Sequence, residues 1–283
     1  MFVTQSIVRK TNWNRHFTFQ GKELFYNRID FNNRAERAVE VPIAFDFLAQ
    51  RAGSGNVLEV GNVLQHYENG LSDLLRIRER RIVDKFEAGE GIDRVDIMDV
   101  DVSEKYQTII SVSTLEHVGQ SCAPSGEFGE QKRTTDREAP LKAIAKIYDL
   151  LAVGGEALLT IPFGKLIDGG WYIQFSLDYL NLITSKYGIP QEAISIRYLK
   201  NVAREPVWKN PYQKWLEVEP QELSSVRYDT IAGGARAIAV ITLTKLEQPF
   251  TLNLAHPQTP LGYESSQIMK SVFFAAGLLK KGF

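Results

Sequence analysis

Carboxylates that close short β-rich runs are the side chains of this 283-residue chain best placed for chemistry. Glu59 lies in Val57-Leu58-Glu59-Val60, a run that ends in Gly61-Asn62. A glycine directly after a strand lets the backbone turn tightly and approach a ligand, and an acidic residue beside that turn can hold a ligand's cationic end. Asp84 closes the next run, Arg80–Asp84. At the equivalent place in dinucleotide sites a carboxylate accepts from the ribose hydroxyls. Asp96, in Arg94–Met98, is placed to accept from an adenine amino group, with Ile97 to pack on the ring. Taken singly, Glu59 and Asp84 also read as an ordinary strand end and a solvated loop aspartate; their pairing favours a nucleotide seat. Asp93, Asp99 and Asp101 crowd the third run, so a carboxylate metal site competes there. Their spacing lacks the glycine and terminal glutamate of a calcium loop, and no metal is expected.

Proton-transfer and nucleophilic chemistry has few candidates, since the chain has four histidines and one cysteine. Glu116-His117 follows the β-rich run Gln107–Ser113. A histidine at that mouth titrates near working pH and suits a general base; the plainer alternative is that the pair orders its loop by hydrogen bonds. His66 and Tyr67 are expected to pack or cap, with contact to a cofactor carboxylate as the sharper alternative. His16 and His256 read as surface residues. Cys122 has no histidine-and-acid arrangement near it and reads as a bystander thiol.

The elements that must position these groups alternate. Ala38, Val41, Phe45 and Leu48 recur at helical spacing within Arg34–Arg51, and Pro42 predicts a break there. Runs at 56–60, 80–84, 94–98, 107–113, 156–162, 193–199 and 237–244 read as strands. Leu141–Leu151, stopped by Gly154-Gly155, and Leu177–Tyr187 read as helices. Strands alternating with helices imply βαβ units, hence an α/β, doubly wound, mostly parallel sheet. Residues 1–35 form an aromatic-rich N-terminal extension with Trp13, Phe17, Phe19, Phe25, Tyr26 and Phe31. Residues 36–245 form the core, interrupted by an insertion at 200–235 with Trp208, Tyr212, Trp215 and Tyr228. Residues 246–283 are a C-terminal extension that includes the apolar segment Ile268–Leu279. The whole, 1–283, reads as one domain.

With these pieces in place the chain resembles a class I S-adenosylmethionine-dependent methyltransferase. VLEVGN (57–62), IVDK (82–85), VDIMD (95–99), TIISVSTLEHV (108–118) and LLAVGGEALLTIPFG (150–164) carry the resemblance, which spans about residues 40–245. It implies a Rossmann-like, seven-stranded sheet with a reversed last hairpin, and S-adenosylmethionine as cofactor. It assigns Glu59, Gly61 and Asn62 to the first motif, near the cofactor's amino-acid part, and Asp84 to the ribose. Asp96 and Ile97 go to the adenine, and Ser111 and Ser113 to the strand lining the cofactor. The first motif departs from acidic-x-Gly-x-Gly-x-Gly: Asn62-Val63-Leu64-Gln65-His66-Tyr67 follows Gly61 without a second or third glycine, so bulkier side chains must face or flank the cofactor. The EVGNVL-x-HY form is similar to a variant in methyltransferase-like proteins associated with bacterial polysaccharide and glycan gene sets. The function read from the chain is methyl transfer to a small-molecule or sugar-type acceptor, with Glu116 and His117 as the catalytic candidates, His117 at the mouth of the fourth strand near where the methyl group should sit. The acceptor pocket is expected from the N-terminal segment, 119–140, Phe163–Phe175 and 200–235. Within these, Glu127, Glu130, Lys132, Arg133, Asp136 and Arg137 make a charged loop, and Trp171, Tyr172, Trp208 and Trp215 could stack on a sugar or join the core.

Composition narrows the alternatives. Hydrophobic residues make up 44% and charged residues 24%, ordinary for a globular protein. A net charge of −1 without a basic block argues against a nucleic-acid partner; the runs Arg76–Arg81 and Lys280–Lys281 read as solvated surface. No apolar run reaches membrane-spanning length, the N-terminus lacks a signal-peptide core, and a lone cysteine fits a reducing compartment. The chain is therefore read as cytoplasmic, with oligomerisation left open. A non-catalytic nucleotide-binding or scaffold protein of the same fold is the competing function. A nicotinamide oxidoreductase needs three spaced glycines and ranks below both.

Overall fold

The structure is a computed structural model that describes residues 15–28, 33, 35–51, 53, 55–77, 80–120, 134–205, 212–229 and 234–265. In chain order its elements are β1 (His16–Phe19), β2 (Lys22–Phe25), α1 (Arg37–Ala49), β3 (Val57–Val60), β4 (Arg81–Val83), β5 (Ile92–Asp93), β6 (Tyr106–Val112), α2 (Ala139–Leu150), β7 (Leu151–Pro162), β8 (Ile167–Asp168), β9 (Ile173–Gln174), α3 (Leu177–Ser185), β10 (Ile194–Arg204), β11 (Gln213–Val218), β12 (Ala237–Thr244) and β13 (Glu264–Ser265), joined by short single-turn helices.

The main sheet runs β11-β10-β12-β7-β6-β3-β4-β5. Strands β5, β4, β3, β6 and β7 are mutually parallel. The other edge is reversed, with β12 antiparallel to β7, β10 to β12 and β11 to β10. The chain starts at β3, steps outward through β4 and β5, and returns to β6 on β3's other side. Such a switch opens a crevice at the carboxyl ends of the strands. Side chains alternate along β7: Leu158 packs toward α1, while Ala157, Leu159 and Ile161 join the core on the α2 and α3 side. Both faces are apolar, as expected of a sheet covered on two sides.

Four details depart from the sequence reading. The sheet has eight strands, because β11 arises inside the 200–235 insertion and adds to the edge. Residues 94–98 are not a strand; after β5 the chain leaves the sheet and Asp96 caps a single turn, Ile97–Asp99, accepting from the Met98 amide. Gly154-Gly155 does not separate helix from strand, since β7 begins at Leu151 and its register against β6 shifts between Tyr106 and Thr108. A Cβ on Gly155 would lie 2.8 Å from the Tyr106 carbonyl and 2.9 Å from that of Ala152, so the glycine pair makes this irregularity possible. Finally, α1 runs through Pro42 unbroken. Proline removes the bond to the carbonyl four residues back, and that carbonyl, Ala38 O, accepts instead from Asn27 N at 2.9 Å.

The N-terminal extension supplies the β1–β2 hairpin, turned at Gln20-Gly21 with both φ positive. It lies on β11: Gln20 N donates to Glu217, and Trp215 N donates to the Tyr26 hydroxyl at 2.9 Å. Trp215 is 1% exposed and its indole N–H donates to Gln213, so it is core rather than a stacking platform. Trp13, Phe31, Trp208 and Ile268–Leu279 lie outside the described residues. Among the described residues no helix is long and apolar enough to cross a membrane.

The hairpin and the eighth strand share one core through Trp215. Trp215→Ala is expected to cost about 3–5 kcal/mol of unfolding free energy, read from urea denaturation. A loss below about 1 kcal/mol would make this edge an appendage.

Candidate functional site

A cleft of about 370 Å³ opens at the carboxyl ends of β3, β4 and β6, walled by Gly61, Asn62, Asp84, Phe86, Asp96, Ile97, Thr114, His117, Trp171 and Arg37 among others. Its floor is the turn after β3. Gly61 has φ +85, and a Cβ there would meet Thr114 Oγ1 at 2.2 Å; only glycine fits both demands. Asn62 faces the cleft, and its Oδ1 is buried without a hydrogen-bond partner. Glu59 is 1% exposed and does not line the cleft. This corrects the expectation that it holds a ligand's cationic end. Its Oε1 accepts from the amides of Val63 (2.9 Å) and Leu64 (2.6 Å), and its Oε2 pairs with Arg80 Nε at 2.7 Å. Burial lifts its carboxyl above the ordinary range, against the opposing pull of Arg80 and the two amides. Arg80 also bonds Glu68 at 2.5 Å and is buried, not part of a solvated basic run.

Glu59 explains how the turn manages without further glycines. Its carboxylate ties down the first amides of the single-turn helix Leu64–Tyr67, while the Leu64 side chain goes fully into the core beside α1.

The second wall carries the nucleotide-type groups. Asp84 Oδ1 accepts from the amides of Phe86 and Glu87, both at 2.8 Å, while Oδ2 has a long 3.4 Å contact from Asn62 N. Asp96 uses Oδ1 on the Met98 amide (3.0 Å) and Oδ2 on Lys85 Nζ (2.7 Å); each oxygen keeps a second lone pair. Ile97, Val95, Val83 and Phe86 make the apolar slot between them.

The third wall comes from the end of β6. Ser111 and Ser113 do not reach the cleft, which corrects their assignment to it. Ser111 Oγ donates to Val60 O at 3.0 Å, stitching β6 to β3. Ser113 holds φ +39, rare for a residue with a side chain. It is pinned by Ser113 Oγ to Glu40 Oε1 at 2.5 Å and by Ser113 N to Thr160 O at 3.0 Å. The strained turn delivers Thr114 to the cleft in their place. Glu40 is fully buried and receives Arg37 Nη1 at 2.8 Å, and Nη1 also donates to Val112 O.

Glu116 and His117 follow in a single turn, Leu115–His117. His117 lines the cleft, stacks on Trp171 (4.9 Å between centroids, 15° between planes), and sets Nδ1 2.7 Å from the Trp171 carbonyl. A carbonyl accepts only, so Nδ1 carries the proton and Nε2 the lone pair. Enclosure by protein, helped by the Arg37 charge, lowers the imidazole to about 4. Glu116 lies behind it, Oε1 at 3.7 Å from Nε2 and Oε2 buried without a hydrogen-bond partner. Burial pushes its carboxyl well above the usual range.

A parallel sheet switching between β3 and β6, a reversed final hairpin β10–β12 and a cleft at the switch make the architecture that the sequence motifs implied. The chain has a doubly wound, Rossmann-like α/β fold with the strand order that the resemblance implied. No family model and no curated protein matches it in sequence. Similar solved structures include the N-methyltransferase NodS from Bradyrhizobium japonicum WM9 in complex with S-adenosyl-L-homocysteine (TM-score 0.42, 13% identity, 86% of this chain and 98% of that one). Others are TehB from Haemophilus influenzae (0.41, 13%, 74% and 63%) and the 1,6-didemethyltoxoflavin-N1-methyltransferase of Burkholderia thailandensis (0.37, 12%, 82% and 99%). Likenesses this weak leave activity to be read from the site itself.

In this cleft the structure gathers Gly61, Asn62, Asp84, Asp96, Ile97 and His117, and leaves Glu59, Ser111, Ser113 and the catalytic candidate Glu116 behind the wall. His66 is exposed, and Tyr67 is buried with its hydroxyl taking Asn27 Nδ2 at 2.8 Å; neither lines the cleft. Tyr172 is core, 1% exposed. Cys122, Glu127, Glu130, Lys132 and Arg133 lie outside the described residues. Sequence reading missed Arg37, Thr114 and Phe86. Arg37 opens a helix far from the motifs in sequence and carried no signal, whereas Thr114 and Phe86 directly follow motif residues.

Two measurements check this geometry. Arg80→Met leaves a buried carboxylate without its cation, and is expected to cost about 3–5 kcal/mol in urea unfolding; a neutral result would remove the pair from the turn. His117 gives a pH signature. Between pH 6.5 and about 4 the unfolded imidazole takes a proton that the folded one refuses, so this group's effect lowers stability as pH falls through that window. Glu36, pushed up to about 7 by burial and by Glu40, acts with opposite sign between pH 4.5 and 7. His117→Gln is therefore expected to gain stability relative to wild type as pH drops from 6.5 to 4. A constant difference would mean that the ring titrates normally.

Proposed function

We propose that this chain is an enzyme that transfers a methyl group from S-adenosylmethionine to a small-molecule or sugar-type acceptor. The observation that carries the reading is Asp84. One of its oxygens is locked by two loop amides and the other has a single long contact, beside a glycine turn and an apolar slot. That is the arrangement a ribose diol needs, two hydroxyl donors meeting one prepositioned carboxylate. Asp96 suits an adenine amino group, Ile97 and Phe86 suit the faces of the ring, and the orphaned Asn62 Oδ1 suits a ligand donor. Among the described residues Arg37 spends Nη1 alone, leaving Nε and Nη2 for a carboxylate. These donors and acceptors fit a nucleoside joined to an amino acid.

When bound, S-adenosylmethionine supplies an electrophilic methyl group on a sulfonium. The protein's own contribution is alignment, which can be worth several kcal/mol of barrier, and proton handling at the acceptor end. There His117 Nε2 offers a lone pair throughout the neutral range, and Glu116 stands behind it as the second proton-carrying group.

Calorimetric titration with S-adenosylhomocysteine tests the reading. Binding is expected, and Asp84→Asn is expected to weaken it at least about tenfold, the loss of charge-assisted hydrogen bonds. Absence of binding to the folded wild-type protein would favour a scaffold that kept the fold alone.

A further inference from the structure

The nucleotide end of the cleft carries a cation, Lys85, between Asp84 and Phe86. It is the second residue of the turn that follows β4. That turn is pinned, because Asp84 Oδ1 accepts from the amides of Phe86 and Glu87, both at 2.8 Å. Across the slot stands a second capped turn, in which Asp96 Oδ1 accepts from Met98 N at 3.0 Å. The two turns leave neighbouring strands, β4 and β5, and Lys85 Nζ bridges them. It lies 2.7 Å from Asp96 Oδ2 and 5.7 Å from the centre of the Phe86 ring. Lys85, Phe86 and Asp96 all line the cleft, so these two distances put the ammonium at the edge of the apolar slot. The pair does little for folding. Its side chains are 43% and 18% exposed, and an ion pair this open to water adds little stability.

What the pair offers is an unspent donor beside an unspent acceptor. An ammonium has three N–H groups, and a carboxylate oxygen has two lone pairs. Among the described residues Lys85 Nζ spends one N–H on Asp96, and Asp96 Oδ2 spends one lone pair on Lys85. Adenine presents the complementary edge. Its amino group donates, and the ring nitrogens on either side of it, N1 and N7, only accept. We propose that Lys85 is a base-reading residue, its ammonium donating to the ring nitrogen next to the amino group that Asp96 accepts. The proposal rests on the methyltransferase reading and names what the cleft requires of the base: a donor and an adjacent acceptor, read together by one ion pair. Each contact then has a charged protein partner, which makes it stronger than a neutral one. A bound base also covers part of the pair from water, and the lower local dielectric strengthens both bonds. A lysine that only blocked Asp96 would act with the opposite sign, since removing it would free the carboxylate and tighten binding.

The experiment has two stages. S-adenosylhomocysteine is titrated calorimetrically into the wild-type protein first, and absence of binding refutes the methyltransferase reading and this proposal with it. Its 1-deaza and 7-deaza analogues follow, each with a C–H in place of one of the two ring nitrogens beside the amino group. At least one of them is expected to bind at least about fivefold weaker than the parent, the loss of a hydrogen bond from a charged donor. Lys85→Met keeps most of the stem and removes the ammonium at an exposed position. It is expected to weaken S-adenosylhomocysteine by at least about fivefold and to remove the penalty on the affected analogue, by the loss of the same bond. Smaller penalties for both analogues in the wild type, an unchanged or tighter affinity of Lys85→Met for S-adenosylhomocysteine, or an analogue penalty that persists in the variant overturns the proposal and leaves methyl transfer standing.

Discussion

The buried carboxylate of Glu59 is the interaction on which the cleft depends. A turn that must bring backbone close to a ligand usually does so with side-chain-free residues. Here one glycine suffices because Glu59 holds the next two bulky residues by their amides and Arg80 neutralises the charge this buries. Arg80 in turn fixes Glu68, so one ion pair joins β3, the turn and the approach to β4. Without the pair, Val63 and Leu64 would have no reason to stay in a turn of this shape, and Asn62 would not face the cleft with an open carbonyl.

A second network performs the same service on the opposite wall. Ser113 adopts a left-handed backbone that costs on the order of 1–3 kcal/mol, and the surroundings over-determine it. Glu40 from α1 grips its hydroxyl, Thr160 from β7 grips its amide, and Arg37 completes the bridge back to Val112. The result is that α1, β6 and β7 agree on where Thr114 and His117 project. The helix can supply both Arg37 and Glu40 because Pro42 leaves it intact, the vacated Ala38 carbonyl being claimed by Asn27 of the N-terminal extension. A segment far outside the motifs thereby holds the helix that lines the site.

Much of this was legible in the sequence, and the boundary between the legible and the hidden is physical. Strands buried on both faces read as apolar runs, so β3, β4, β6, β7, β10 and β12 stood out, and strand-end carboxylates could be placed with them. Residues 94–98 misled because Val95 and Ile97 mimic strand alternation while Asp96 serves a cap, a local hydrogen bond that periodicity does not register. Ser111 and Ser113 lie at the right end of the right strand; whether a side chain faces ligand or structure depends on one backbone twist that only the tertiary partners Glu40 and Thr160 enforce. Glu59 was noticed but assigned the wrong partner, since nothing local announces that Arg80 folds back onto it. Arg37 was invisible, because its role exists only where α1 crosses the end of β6.

Carboxyls that line the cleft and carboxyls that lie outside its lining differ in how they are solvated. Asp84 and Asp96 are half-buried, and each is oriented by loop amides at the rim, an environment suited to reversible hydrogen bonding with hydroxyls and amino groups. Glu36 and Glu116 stand where burial works against charge, the first held near 7 and the second far above the ordinary carboxyl range. The same residue type therefore serves as a hydrogen-bonding group at the rim of the cleft and as a buried group outside it. The difference rests on depth, and depth here is set by α1, held over the end of β6 by Ser113.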